Sequence, residues 1–134
     1  MKPKFINNSQ VIPILVILSE IKEPERCLYE ALQKQGFDDS LIETILQKGR
    51  KKGNNQVSEY CFLILFDGYD ELRKPINLYV LNSLEDYNCK VIYSSRREYL
   101  KAFGVEYMQY FSSSGRISNP NNVLEVNIPN LNFI

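Results

Sequence analysis

Asp67, Asp70 and Glu71 crowd together directly after an apolar run, Cys61 to Phe66, and this is where the chain could do chemistry. Carboxylates held so close repel one another and lose hydration, a cost that a cation or a phosphate-bound metal offsets. A wholly apolar run bounded by polar residues fits a strand buried on both faces. In purely structural terms the same residues read as a buried strand and a helix start, with Asp70 and Glu71 favouring its positive end. A second segment tips the balance. Lys90 to Tyr93 reads as a short strand running into Ser94, Ser95 and Arg96. In a parallel sheet, residues just past the strand C-termini line the ligand crevice. If the two strands are neighbours, Arg96 stands near Asp67 and Asp70, where its fork suits phosphate oxygens. The plainer reading is a salt bridge, or a solvated Arg96–Arg97 pair.

The elements that must position these residues follow from periodicity. Val11 to Leu18 reads as a first strand, and Pro13, which cannot donate to a ladder, favours an edge position or the strand's first residues. Pro24 opens a helix with Cys27, Leu28, Ala31 and Leu32 at helical spacing, and Gly36 stops it. Asp38 or Asp39 caps a second helix with the stripe Leu41, Ile42, Ile45 and Leu46. The basic run Gly49 to Gly53 reads as a helix end and a solvated loop. Pro75 begins a helix whose buried face is Ile76, Val80, Leu81 and Leu84. Tyr99, Phe103, Tyr107, Tyr110 and Phe111 read as core rather than as a base-stacking platform, since basic residues do not interleave with them well enough to argue nucleic-acid binding. Asn119 to Asn122 reads as a turn, and Val123 to Ile128 as a last strand. The alternation of strands and helices predicts an α/β fold, a parallel sheet flanked by helices.

Composition narrows the classes. With 134 residues the chain makes one domain at most, and 44% hydrophobic content is enough for a core. Sixteen basic residues balance sixteen acidic ones, which argues against nucleic acid or an acidic membrane surface as partner. The absence of histidine excludes a His-based triad and an ordinary catalytic zinc site. Cys27, Cys61 and Cys89 are an odd, widely spaced set, read as reduced buried thiols of a cytoplasmic protein. Residues 11–18 are too short to span a bilayer.

Asp67-Gly68-Tyr69-Asp70-Glu71-Leu72 after an apolar strand resembles the Walker B segment of NACHT-type STAND NTPases. Val91 to Arg96, ending in Ser-Ser-Arg, resembles the sensor 1 strand of the same family, and the stretch through Leu100 is similar to protist and fungal NACHT–repeat proteins. Val11 to Leu18 and Val123 to Ile128 resemble outer strands of that core, so the resemblance covers about residues 10–130. It implies a partial P-loop NTPase-type (ASCE) parallel sheet over residues 10–134, after a flexible N-terminus at 1–9. The sequence contains no Gly-x-x-x-x-Gly-Lys-[Ser/Thr], so the Walker A strand and its phosphate loop are missing. The expectation is a NACHT core that starts late, a fragment or truncated product with exposed sheet edges.

The resemblance also implies roles. Asp67 would hold the magnesium of Mg-ATP through a bound water, Asp70 or Glu71 would orient the attacking water, and Arg96 with Ser95 would contact the nucleotide. The implied partners are ATP, bound weakly by this chain alone, and other domains or protomers of a multidomain signalling protein, with no nucleic acid and no membrane. Two rivals stay open. One is a non-catalytic interaction module derived from an NTPase core. The other is a receiver-like domain, with Asp67 as phosphoacceptor and Ser94 or Ser95 sensing it. That second rival wants an acidic pair after the first strand and a lysine after the last, where Ser19-Glu20 and Asn127-Ile128 stand.

Overall fold

A computed structural model of the chain describes residues 9–53, 56–102 and 104–113. The sequence elements proposed at 119–122 and 123–128, residues 1–8 and Phe103 lie outside the described residues. Three strands, β1 (Gln10–Ile17), β2 (Tyr60–Asp67) and β3 (Cys89–Tyr93), form a parallel sheet in the order β1-β2-β3. Ile14 stands opposite Ile64, and Ile64 opposite Val91, so Asp67 and Tyr93 end their strands at the same side of the sheet. Among the described strands β1 pairs with β2 alone, which puts Pro13 on an edge strand, opposite Leu63, where its missing N–H is tolerated.

The first crossover is built as its sequence dictates. A 3-10 turn (Pro24–Arg26) leads into α1 (Cys27–Lys34), and Cys27, Leu28, Ala31 and Leu32 are all buried. Gly36 takes a φ of 96°, a left-handed value natural to glycine, and ends the helix. Asp38 caps α2 (Asp39–Gly49) by accepting a hydrogen bond from the Leu41 N–H at 2.8 Å. Of the proposed α2 stripe, Ile42 is buried and Ile45 and Leu46 pack partly against the core, while Leu41 is exposed.

α2 ends at Gly49 and Arg50 to Gly53 are exposed, so the segment is a helix end and a solvated loop as expected, with Gly49 itself the exception. It is buried against Phe62, and a Cβ there would sit 2.1 Å from Phe62 Cε2. Its carbonyl accepts from the Asn88 N–H at 2.8 Å, and Lys51 N–H donates to the Asp86 carbonyl at 2.8 Å. The end of α2 is thus stitched to the approach to β3.

The second crossover also departs from expectation. The helix expected after Pro75 is one turn, α3 (Leu78–Leu81), capped by Asn77, whose side chain accepts from the Val80 N–H at 3.0 Å. Ser83 follows with a left-handed φ of 51°, then a 3-10 turn (Leu84–Asp86). This break shifts the buried face. Leu78 and Leu84 are buried, whereas Val80 and Leu81 are exposed.

Both crossovers deliver their helices to one face of the sheet, as successive parallel strands with same-handed connections require. Ile14, Val16, Phe62, Ile64 and Phe66 share one core with Leu28, Leu32, Ile42, Leu78 and Leu84. Among the described residues the helices thus cover one face of β2, and Leu63 and Leu65 on its other face are only partly buried. On the opposite face Leu15, Leu65 and Ile92 stand in register across the sheet, with Leu15 47% and Ile92 50% exposed. A continuous apolar run records how hydrophobic a strand is, not which of its faces receives a helix. No helix among the described residues is long and apolar enough to cross a membrane.

Candidate functional site

Asp67 is the last residue of β2 and is exposed. The chain turns sharply behind it because Gly68 adopts a φ of 78°, a value that side chains rarely take. A 3-10 turn (Tyr69–Glu71) follows, closed by the Glu71 N–H donating to the Gly68 carbonyl at 2.8 Å. Tyr69, the middle residue of the motif, plunges into the core. Its hydroxyl accepts from the Ile76 N–H at 2.9 Å and donates to the Ile76 carbonyl, which pins both ends of the loop. Its ring meets Phe111 at 4.8 Å and Tyr93 and Tyr99 at 5.9 Å, in edge-on arrangements. Burial pushes the Tyr69 phenol well above its ordinary value. The turn that carries the carboxylates therefore stands on an aromatic pedestal.

The loop after β3 locks onto this turn. Ser94 N–H donates to the Phe66 carbonyl at 2.9 Å, and Tyr69 N–H donates to the Ser94 carbonyl at 2.8 Å. The Ser94 hydroxyl accepts from the Gly68 N–H at 3.0 Å and donates to Asp67 Oδ1 at 2.7 Å. Two residues on, Arg96 N–H donates to Asp70 Oδ1 at 3.2 Å, and Arg96 Nε lies 3.5 Å from Asp70 Oδ2. The short helix α4 (Arg97–Lys101) then begins, and Tyr99 donates from its hydroxyl to the Leu72 carbonyl at 3.1 Å. Burial first, and then the nearby charge of Asp70, raises the Tyr99 phenol.

Asp67 thus meets Ser94, and Asp70 meets Arg96, at the C-terminal edge of the sheet, and Glu71 is exposed in the same turn. Ser95 does not reach Asp67; its hydroxyl donates to the Arg96 carbonyl at 3.1 Å. Ser94 is the residue in contact with Asp67, and Tyr69 is the anchor beneath it. Ser94 was legible as the first polar residue past β3, whereas nothing in the motif marked Tyr69 as the pivot.

Among the described residues no group of three or more His, Cys, Asp or Glu side chains could hold a metal ion. The oxygen donors at hand are the Asp67 carboxylate and the Ser94 hydroxyl. That set suits magnesium held largely through its own waters and a ligand's phosphates, and does not suit an all-protein cage. No family model matches the chain, and neither curated proteins nor solved structures give a match.

Proposed function

We propose that this chain contributes the magnesium-facing and phosphate-sensing side of a NACHT-type nucleotide switch, on a partial P-loop NTPase-type sheet. The observation that carries this reading is the meeting of Asp67 with Ser94, and of Asp70 with Arg96, across the C-terminal ends of adjacent parallel strands. Ligands of open α/β sheets bind at that edge. In this reading Asp67 holds the water shell of a nucleotide-bound magnesium. Ser94 fixes the rotamer of Asp67 and leaves its second oxygen outward. Arg96 contacts the terminal phosphate. Glu71, exposed and near the turn, orients water. Phosphoryl transfer rests on positioning and charge stabilisation, and the 134 residues contain no phosphate loop to supply most of it.

That missing loop also favours a second reading, a non-catalytic interaction module built on an NTPase core. Calorimetric titration with Mg-ATP separates the two, using this chain beside the same chain joined to an N-terminal phosphate-loop strand and helix. The switch reading predicts weak or no binding for the chain alone and micromolar binding for the joined form. An unchanged joined form overturns the switch reading. Micromolar affinity of the chain alone overturns the role assigned to the loop.

A further inference from the structure

We infer that Asp70 is a positioning residue, which holds Arg96 by its Nε edge so that the far edge of the guanidinium stays open to a phosphoryl oxygen. The inference rests on the switch reading and deepens it, because it moves Asp70 from orienting water to orienting an arginine. The two partners are unequal. The Asp70 side chain is 15% exposed and that of Arg96 is 80% exposed. Asp70 spends both oxygens on this one residue, Oδ1 on the backbone N–H and Oδ2 on Nε. The first contact fixes where the arginine leaves the chain, and the second restricts its rotamers. Asp70 is itself fixed, since Tyr69 beside it is bolted to Ile76. A long side chain that is already held loses less freedom when it grips a ligand. The guanidinium edge formed by the two terminal nitrogens can pair with two oxygens of a phosphoryl group.

Asp70 also carries a negative charge that repels an anion. Orientation and repulsion act with opposite signs, so a single substitution distinguishes them. Salt screens the longer-range repulsion of a ligand more than the contact that Asp70, 15% exposed, makes with the Arg96 backbone N–H at 3.2 Å.

The test titrates the full chain with inorganic tripolyphosphate in moderate salt. Binding is followed by the NMR signals of the Arg96 backbone N–H and side-chain Nε–H. The variants are Asp70→Asn and, as control, Glu43→Gln, at an exposed position of α2 away from the site. Asp70→Asn is expected to shift both Arg96 signals before any ligand is added and to weaken tripolyphosphate binding roughly three- to tenfold. Glu43→Gln is expected to do neither. Binding at Arg96 that is unchanged or tighter in Asp70→Asn overturns this inference and leaves the switch reading standing. No perturbation of Arg96 in the unsubstituted protein overturns this inference alone, since the switch reading allows no binding by the chain without a phosphate loop. If Asp70→Asn does not fold, Arg96→Lys, an exposed substitution that keeps the charge and removes the fork, serves in its place. Retained affinity in Arg96→Lys overturns the inference, and loss supports it.

Discussion

The Ser94 hydroxyl bridges the Gly68 N–H and Asp67 Oδ1, at 3.0 and 2.7 Å, and so ties the end of β2 to the loop after β3. Serine can serve both because it donates one hydrogen bond while accepting another. Ser94→Ala removes both bonds at an exposed site. It is expected to lower unfolding stability by about 0.5–1.5 kcal/mol in urea titration. A larger effect on hydrogen exchange at Gly68 than in α1 would locate the loss at this bridge; uniform loosening would speak against it.

Tyr69→Phe keeps the ring packing and deletes the hydroxyl that serves both Ile76 backbone groups. The Ile76 N–H is then left without its partner, which is expected to cost about 1–3 kcal/mol. Chemical denaturation measures it. A change within about 0.5 kcal/mol would mean that the hydroxyl does not anchor the motif.

Gly49→Ala ought to stabilise an ordinary helix position by about 1 kcal/mol on propensity alone. Here the added methyl would meet the Phe62 ring at 2.1 Å, and Phe62 is fully buried. The expected sign is therefore reversed, with a net loss of about 1–3 kcal/mol from overpacking. A stabilised Gly49→Ala protein would show that α2 does not approach β2 so closely.

These cases show how much was legible. The α1 stripe at Cys27, Leu28, Ala31 and Leu32, a cap at Asp38 or Asp39 and the approach of Arg96 to Asp70 follow from spacing and strand order. Gly49 misleads because a glycine at a helix end reads as a terminator, while its close contact with Phe62 is a tertiary fact. Val80 and Leu81 mislead because α3 lasts one turn and Ser83 breaks its period. The six-residue apolar run of β2 gave no sign that both crossovers would cover the same face. Ser94 and Ser95 could not be told apart as partners of Asp67 until the loop had a shape.

The two faces of the sheet give a stability contrast. Ile64→Ala opens a cavity in the core, with an expected cost of about 2–5 kcal/mol. Ile92 is half exposed on the other face, and Ile92→Ala is expected to cost about 1 kcal/mol or less. Equal costs in urea titration would mean that the second face is covered.

Burial pushes the Cys27 thiol from 9.0 up to about 12 and that of Cys89 up to about 11. A thiol with a raised folded value stabilises the fold fully below its unfolded value, and that contribution fades as pH rises through the folded one. Melting temperature is expected to fall between about pH 9 and about pH 11, and to fall less in Cys27→Val. Melting curves of the two proteins that fall in parallel across this range would contradict the assignment to Cys27.

The central claim is that Asp67 faces a nucleotide-bound metal, and paramagnetic broadening by manganese with ATP tests it most directly, because it detects even weak binding. Manganese stands in for magnesium. The account predicts broadening centred on the amides of Gly68, Ser94 and Ser95, present when ATP and manganese are added together and lost in Asp67→Ala. Broadening spread over the acidic surface, or unchanged in Asp67→Ala, would contradict it.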